Sequence, residues 1–409
     1  MTDPQVVDFN HHSPEFAQNW KGIWRELQDK CPVAYTEAHD GHWVLTRYDD
    51  VAEIARNDED FTSFNDIEGN GAKGNGILIP RGPLRFGIIE QDPPECRDLR
   101  ALVAKWFAPS AIEALKPFIR ERTTLAIDNI IEKGSGDLIM DVANPVPAAV
   151  TLHTVGLPVD DHLKYGEVFH KYLYIPPTEP EFADVFTGFM WCEQQFAEHV
   201  ADRRTNPKND LITALCQAKL YGEPIPDGWI IDTIRVFLGG GLDTTTSLTA
   251  NGLYWLDEHP EYRERLRDNP EALNLATEEF LRYFAPIQAL GRTVKDQPYQ
   301  LRDYTLKPGD KVMMGWAAAN RDPAEFENPD EFVIDRFPNR HTSFGLGAHR
   351  CLGAALARAQ FQIMVGEILR RMPDYQVDRG QVHRYPSIGL ANGYISLPVQ
   401  FTPGERSDS

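Results

Sequence analysis

Apolar residues recur three and four positions apart over residues 101–107, 111–131, 182–203, 229–256, 272–283 and 352–371. That spacing lines one face of a helix, so a chain with these stretches must build its core by packing helix on helix. Strand-like runs are short, at residues 43–46, 311–314 and 394–399. The expected fold is mainly α with a minor β portion. No repeat with a period of about 20 to 50 residues divides the chain, and no low-complexity segment does. One domain over residues 1–409 is therefore expected.

Charge narrows the function. Lys and Arg total 41 against 61 Asp and Glu, a formal net charge of −20. Such a field repels nucleic acid and anionic membranes. Residues 1–29 are polar and acidic, and no run of about 18 apolar residues exists to cross a bilayer. The most apolar window, residues 230–248, is interrupted by Asp232, Arg235, three glycines and Asp243. A soluble, cytoplasmic protein is expected, with nothing demanding more than a monomer. The five cysteines, Cys31, Cys96, Cys192, Cys216 and Cys351, are scattered singly. That pattern argues against a disulfide framework and against a structural zinc site.

Two stretches read as loops. Residues 65–82 are rich in glycine and run into an apolar segment ending at Ile89; residues 175–181 hold three prolines. Either could be a lid over a site or a surface loop with buried anchors. The apolar Ile77, Leu78, Ile79, Phe86, Ile88 and Ile89 favour a lid for the first.

The strongest local signal is the run Phe344-Gly-Leu-Gly-Ala-His-Arg-Cys351-Leu-Gly353. Glycines allow a tight loop whose N–H groups are free to face a sulfur, and the following helix adds its dipole. A lone cysteine is otherwise a small buried hydrophobe, the reading that fits the other four. A second signal is Gly240-Gly241-Leu242-Asp243-Thr244-Thr245 within a helical stretch. Consecutive glycines cost a helix about 1 kcal/mol each relative to alanine. They mark either a locally opened helix with a ligand groove or a kink where helices cross. Glu279 and Arg282, three apart, share one helix face and can pair.

The Cys351 loop resembles the haem-binding signature of the cytochrome P450 family. The resemblance continues through residues 240–245, similar to that family's oxygen-binding segment, and through Glu279, Arg282 and Arg336, similar to its Glu-Arg-Arg cluster. It covers nearly the whole chain, from residues 41–47 to residues 396–398. It implies the helix-rich triangular-prism fold, with small sheets near the termini. It implies haem b with Cys351 as axial thiolate, a ligand that favours O–O cleavage. Phe344 and Gly345 would flank the sulfur, and Gly240 and Gly241 would border the oxygen groove. Asp243 and Thr244 would relay protons to bound O2. His349, Arg292 and Arg100 would meet the haem propionates. Many members carry histidine where Cys96 stands, and a thiol is a poor donor to a propionate.

By the same resemblance the substrate pocket draws on Phe86, Ile88, Ile89, Leu238, Gly239, Ile287, Gln288 and Leu390. This list is mostly apolar, with Gln288 its polar handle, and suits a small terpenoid or aromatic molecule. Arg81 and Arg85 are solvated loop charges on one reading and anchors for a fatty acid or other carboxylate on another. A distant likeness to soluble bacterial camphor and terpenoid hydroxylases extends only so far. Leu84, eight before Asp92, stands where a camphor-type enzyme has its hydrogen-bonding tyrosine. No dinucleotide fingerprint, flavin or iron–sulfur spacing is present, so electrons must come from a separate ferredoxin, or a flavodoxin, with its reductase. Arg97, Arg100, Lys105, Arg350 and Arg358 supply a basic face for it. The reading is a monooxygenase that inserts one atom of O2. A peroxide-driven peroxygenase and a haem sensor are rivals. A cysteine hydrolase fails, because His349 cannot turn onto Cys351 within so tight a loop.

Overall fold

Residues 227–258 form two helices where the periodicity predicts one. Asp227–Gly241 and Asp243–Glu258 are separated at Leu242, with φ −81° and ψ −74°. The computed structural model describes residues 4–66, 69, 74–82, 84–175 and 179–407. Parts of both expected lids, at residues 67–68, 70–73 and 176–178, lie outside the described residues.

Each half of the broken helix belongs to a different core. Leu248, Leu253 and Leu256 of the second half pack with Pro109–Ile131, Leu273–Phe284 and Ala354–Arg371. Ile230, Ile234 and Leu238 of the first half pack with Glu95–Val103, His162–Tyr174, Phe182–Thr205 and Leu211–Gln217. Helix Pro145–Val155 joins the two, with Val146 and Val150 in one core and Leu152 and Val155 in the other. A helix apolar all round is a buried helix.

The main sheet has five strands in the order Val33–Thr36, His42–Leu45, Lys311–Met314, Leu290–Val294 and Phe61–Thr62. Its pairs are antiparallel except Lys311–Met314 beside His42–Leu45. Successive side chains alternate faces: Val44 and Met313 enter one apolar cluster, while Trp43, Leu45, Val312 and Met314 enter another.

The predicted helices appear with shifted ends, as Pro109–Ile131, Phe182–Thr205, Leu273–Phe284 and Ala354–Arg371. Residues 101–107 are not one helix: Glu95–Val103 ends there and a 3-10 turn, Ala104–Phe107, follows. The strand expected at 394–399 is two. Tyr394–Ser396 pairs with His383–Arg384, and Pro398–Gln400 pairs with Ser135–Asp137 and Gln376–Val377. The chain switches sheets at buried Leu397, whose N–H donates to Asp137 Oδ1 at 3.0 Å.

Candidate haem and substrate site

The Cys351 loop is shaped by two left-handed glycines, Gly345 and Gly347, with φ 66° and 69°. At Gly347 a side chain would also collide with backbone: its Cβ would sit 2.4 Å from the Ala55 carbonyl oxygen. Within the loop the Cys351 N–H donates to the Phe344 carbonyl at 2.7 Å, and the Gly345 N–H to the Thr342 carbonyl at 2.7 Å. The helix that follows begins at Ala354, with Gly353 as its cap. Cys351 lies deep in the molecule and is exposed only toward a cavity. Burial pushes its thiol up, against the downward pull of the Gly353 N–H, Arg100, Arg358 and Arg350. The loop and the helix end therefore do not by themselves make the sulfur an anion.

That cavity, about 310 Å³, lies between the broken helix and the Cys351 loop. Phe86, Ile88, Ile89, Gly239, Ile287 and Leu390 line it as expected. Two expected residues do not. Leu238 is buried in the neighbouring core. Gln288 is consumed by structure: its Oε1 accepts from Trp24 Nε1 at 3.2 Å, and its Nε2 donates to the Ala285 carbonyl at 2.9 Å. Thr151, Thr154 and Tyr172 also bring hydroxyls to the wall, from two helices that sequence reasoning passed over. Thr151 and Thr154, polar on the largely apolar helix Pro145–Val155, were the available signal.

At the helix break, Thr244 and Thr245 line the cavity while Asp243 is fully buried behind it. Thr244 Oγ1 donates to the Gly240 carbonyl at 2.7 Å. Nothing would touch a Cβ at Gly240 within 4 Å, whereas one at Gly241 would lie 2.7 Å from Thr151 Oγ1. The two glycines thus differ: one borders open cavity, the other permits close packing of two helices.

At the cavity edge stand Arg100, Arg292 and His349. Burial, with the nearby Arg292 and Arg100 charges, pushes His349 down to about 2. It is therefore neutral at pH 7, with Nε2 3.1 Å from Ser63 Oγ and Nδ1 3.7 Å from Cys96 Sγ. Cys96 is buried and held protonated, its thiol pushed up to about 11 by burial. Arg100 Nη2 donates to the Arg350 carbonyl at 2.6 Å. The Arg292 guanidinium, buried on its strand, has no hydrogen bond and no ion pair among the described residues.

Beneath the loop, Glu279 and Arg282 are both fully buried and pair at 2.7 Å. Arg336 Nε reaches Glu279 Oε2 at 3.1 Å. Arg282 also donates to the carbonyls of Asn320, Pro329 and Glu331, and Glu279 accepts from the Val333 N–H and Asn339 Nδ2. Both Glu279 oxygens and all three Arg282 nitrogens are hydrogen-bonded, which is what their burial demands.

Other expected charges prove to be engaged. Arg358 grips Glu278 at 2.6 and 2.7 Å and covers the Phe344 ring. Arg85 is buried, not solvated: its Nε and Nη2 donate to the Asn65 carbonyl at 3.1 Å, and Asp232 lies 3.8 Å away. Arg81 Nε donates to Asn65 Oδ1 at 2.7 Å. Neither arginine lines the cavity.

This arrangement, a cysteine facing an apolar cavity opposite a broken helix over a buried Glu-Arg-Arg cluster, has counterparts of known class. The Cytochrome P450 family pattern matches residues 182–373. The chain belongs to the cytochrome P450 family and is a haem-thiolate monooxygenase. It is 33% identical over 354 residues to Cytochrome P450 109 of Bacillus spizizenii, covering 85% of this chain and 83% of that one. It is 28% identical over 405 residues to Cytochrome P450-terp of a Pseudomonas species, covering 93% and 92%. Among solved structures it is similar to polyketide synthase cytochrome P450 PksS of Bacillus subtilis, TM-score 0.84, 27% identity, covering 96% of this chain and all of that one. CYP109E1 of Bacillus megaterium in complex with corticosterone is likewise similar, TM-score 0.81 and 30% identity, covering 95% and 100%.

Proposed function

We propose that Cys351 is the axial thiolate of a haem b held in this cavity, within one domain spanning residues 1–409. The supporting observation is Arg292, a buried guanidinium that lines the same cavity as Cys351 and, among the described residues, is hydrogen-bonded or ion-paired to none, with Asp58 and Asp92 acting on it only as nearby charges. A buried cation needs an anion, and the haem carboxylates are anions of the right kind. Arg100 is the second cation, and neutral His349 a hydrogen-bond donor beside them. Phe344 and Gly345 flank the sulfur.

When bound, the haem supplies the activation of O2 and the oxidation of substrate. The chain supplies the surroundings. Phe86, Ile88, Ile89, Ile287 and Leu390 exclude water and hold a small apolar substrate of terpenoid or steroid kind. Gly240 leaves room for a small molecule beside the helix break. Thr244 presents its hydroxyl to the cavity, and Asp243 stands behind as the acid that resupplies it with protons. With Arg81 and Arg85 both held by Asn65, a carboxylate anchor has no support. The Asp243–Thr244 pair favours O2 with a reductase over peroxide as the oxidant.

Electrons come from a ferredoxin that docks over the Cys351 loop. Lys105, Arg97 and Arg350 are exposed there, while Arg358 and Arg100 serve other partners. In the cytoplasm, Lys105→Glu with Arg350→Glu is expected to slow ferredoxin association about tenfold at low salt and to flatten its salt dependence. Unchanged salt dependence overturns this docking face.

The deciding experiment is the carbon monoxide difference spectrum of the reduced, haem-loaded protein. The red-shifted band of a thiolate-ligated haem is expected, and its loss in Cys351→His. A band of the histidine-ligated type in the active wild-type protein would overturn the assignment. Spin-state shifts on titration with monoterpenes and steroids then rank substrates.

A further inference from the structure

Behind the helix break lies a buried polar network that sequence reasoning did not find. Asp243 Oδ1 accepts from His170 Nδ1 at 2.5 Å. Its Oδ2 accepts from the Tyr385 hydroxyl at 2.6 Å and from Ser247 Oγ at 3.4 Å. The Tyr385 hydroxyl is also 3.0 Å from His170 Nδ1. All four residues are buried. Among the described residues no Lys or Arg pairs with Asp243, so His170 is its one cationic partner. A carboxylate with neither countercharge nor solvent is costly, and here the imidazolium meets that cost.

The surroundings support a charged His170. Burial works against its charge, but Asp243, joined by the Ile395 carbonyl and Asp137, more than offsets it, and His170 is raised above its ordinary value. The other titratable neighbours are Tyr174, whose ring lies 5.4 Å from His170 and 5.2 Å from Tyr385, and Asp137, whose charge also favours the imidazolium. Burial raises both tyrosines, so neither carries charge near neutrality. His170 also sits on a helix that reaches the cavity: Phe169, Tyr172 and Leu173 of His162–Tyr174 line it.

We propose that His170 is the positioning residue that stores and supplies the proton Asp243 delivers, with Tyr385 as the switch that releases the acid. This rests on the reading of Asp243 and Thr244 as the relay. In the step the Nδ1–H bond of His170 breaks and an Oδ1–H bond forms on Asp243. Imidazolium and carboxylate become imidazole and carboxylic acid, with no net change of charge in the buried pair. As the neutral acid turns away, Tyr385 swings its hydroxyl from Oδ2 onto the emptied Nδ1. Nδ1 is then not left without a partner, while Nε2, buried and without a hydrogen bond among the described residues, is untouched by the step; solvent later returns the proton to the imidazole. Because His170 shares its helix with the cavity wall, a seated substrate bears on the same element that holds the proton.

The test has a spectroscopic and a kinetic arm. Histidine-selective NMR of the haem-loaded protein is expected to show His170 titrating above pH 6.5, with a midpoint lower by about one pH unit in Asp243→Asn. A wild-type midpoint at or below 6.5 overturns the proposal without any variant. Turnover is driven by a surrogate [2Fe–2S] ferredoxin and its reductase, on the monoterpene or steroid giving the largest spin-state shift. His170→Gln keeps a donor to Oδ1 but cannot titrate. It is expected to lose tenfold to hundredfold in coupled turnover, on the order of a missing acid–base group. The wild-type fall in rate as pH rises through the His170 midpoint should vanish with it, while the carbon monoxide band and spin-state shift remain. Tyr385→Phe is expected to keep that limb at a shifted pH. Wild-type coupling and an unchanged limb in His170→Gln overturn the role of His170. Full coupling in Asp243→Asn instead overturns the relay beneath it.

Discussion

Arg292 and Arg282 are both buried arginines, yet the protein alone satisfies only one of them. Arg282 has Glu279 and three backbone carbonyls. Glu279→Ala would strand Arg282 and Arg336 together, and a loss of about 3–5 kcal/mol is expected in urea denaturation, the range for breaking a buried pair. Among the described residues Arg292 has no such partner, and burial lowers its hold on its proton despite the nearby charges of Asp58 and Asp92. Arg292→Leu is therefore expected to stabilise the haem-free protein, on the order of 1–3 kcal/mol, while weakening haem retention. Destabilisation of the haem-free form by that change would show that Arg292 serves the protein and not a bound anion. Spacing alone paired Arg282 with Glu279, whereas Arg292 took its role from the resemblance, because most of a guanidinium's partners come from segments far along the chain. The same limit explains Gln288, taken by Trp24 from 264 residues away, and Arg85, taken by Asn65. His170 and Tyr385 escaped notice for that reason as well: 215 positions separate them, and only the fold brings both to Asp243.

Among the elements, the broken helix was the most legible, since paired glycines beside a polar Asp-Thr-Thr cannot be cheap in a continuous apolar helix. What the pattern could not divide was the work of the two glycines. A methyl at Gly240 meets open cavity, so Gly240→Ala should gain up to about 1 kcal/mol of helix propensity. It should raise the Tm of the haem-free protein while weakening substrate binding. A methyl at Gly241 meets Thr151 Oγ1 at 2.7 Å and Cγ2 at 3.1 Å. Gly241→Ala should therefore forfeit that gain, because helix Pro145–Val155 must shift or Thr151 must turn. Equal Tm gains from both would mean the two helices are less closely fitted than their separation implies. Short strands were legible only where a local pattern stood clear of other signals. Residues 311–314 were found as a short apolar run rather than by alternation, while Val33–Thr36 and Leu290–Val294 owe their pairing to neighbours more than to pattern.

Across the whole molecule, buried histidines set how stability answers to acid. Burial lowers His11, His12, His42, His341 and His349, His42 to about 4 and His349 to about 2. The unfolded chain takes up these protons as pH falls through about 6.5, whereas the folded chain resists them, so stability must fall with pH over that window. His170 has the opposite sign. Raised by Asp243 against burial, it contributes stability fully present below about 6.5 and lost as pH climbs through its folded value. The lowered groups, joined by His39, His153, His162 and His199, outweigh one raised group, and the urea midpoint is expected to drop between pH 7 and pH 5. Glu278 does not explain such a drop. Burial opposes its ionisation, yet Arg358 and His341 hold the carboxyl at about 2, and its stabilising share is lost only below about 4.5. Relief of self-repulsion in a chain of net charge −20 would push the midpoint the other way, and that contribution is screened by salt while buried protonation is not. The origin lies partly where His11 and His12 both reach the Ile79 carbonyl, at 2.7 and 2.9 Å, with His39 and His42 packed beside them. Replacing His42 by Gln should then recover part of the midpoint lost at pH 5, in high salt as in low. A midpoint that holds steady or rises from pH 7 to pH 5 in high salt would mean these rings accept protons without cost, and that their burial does not govern the acid response.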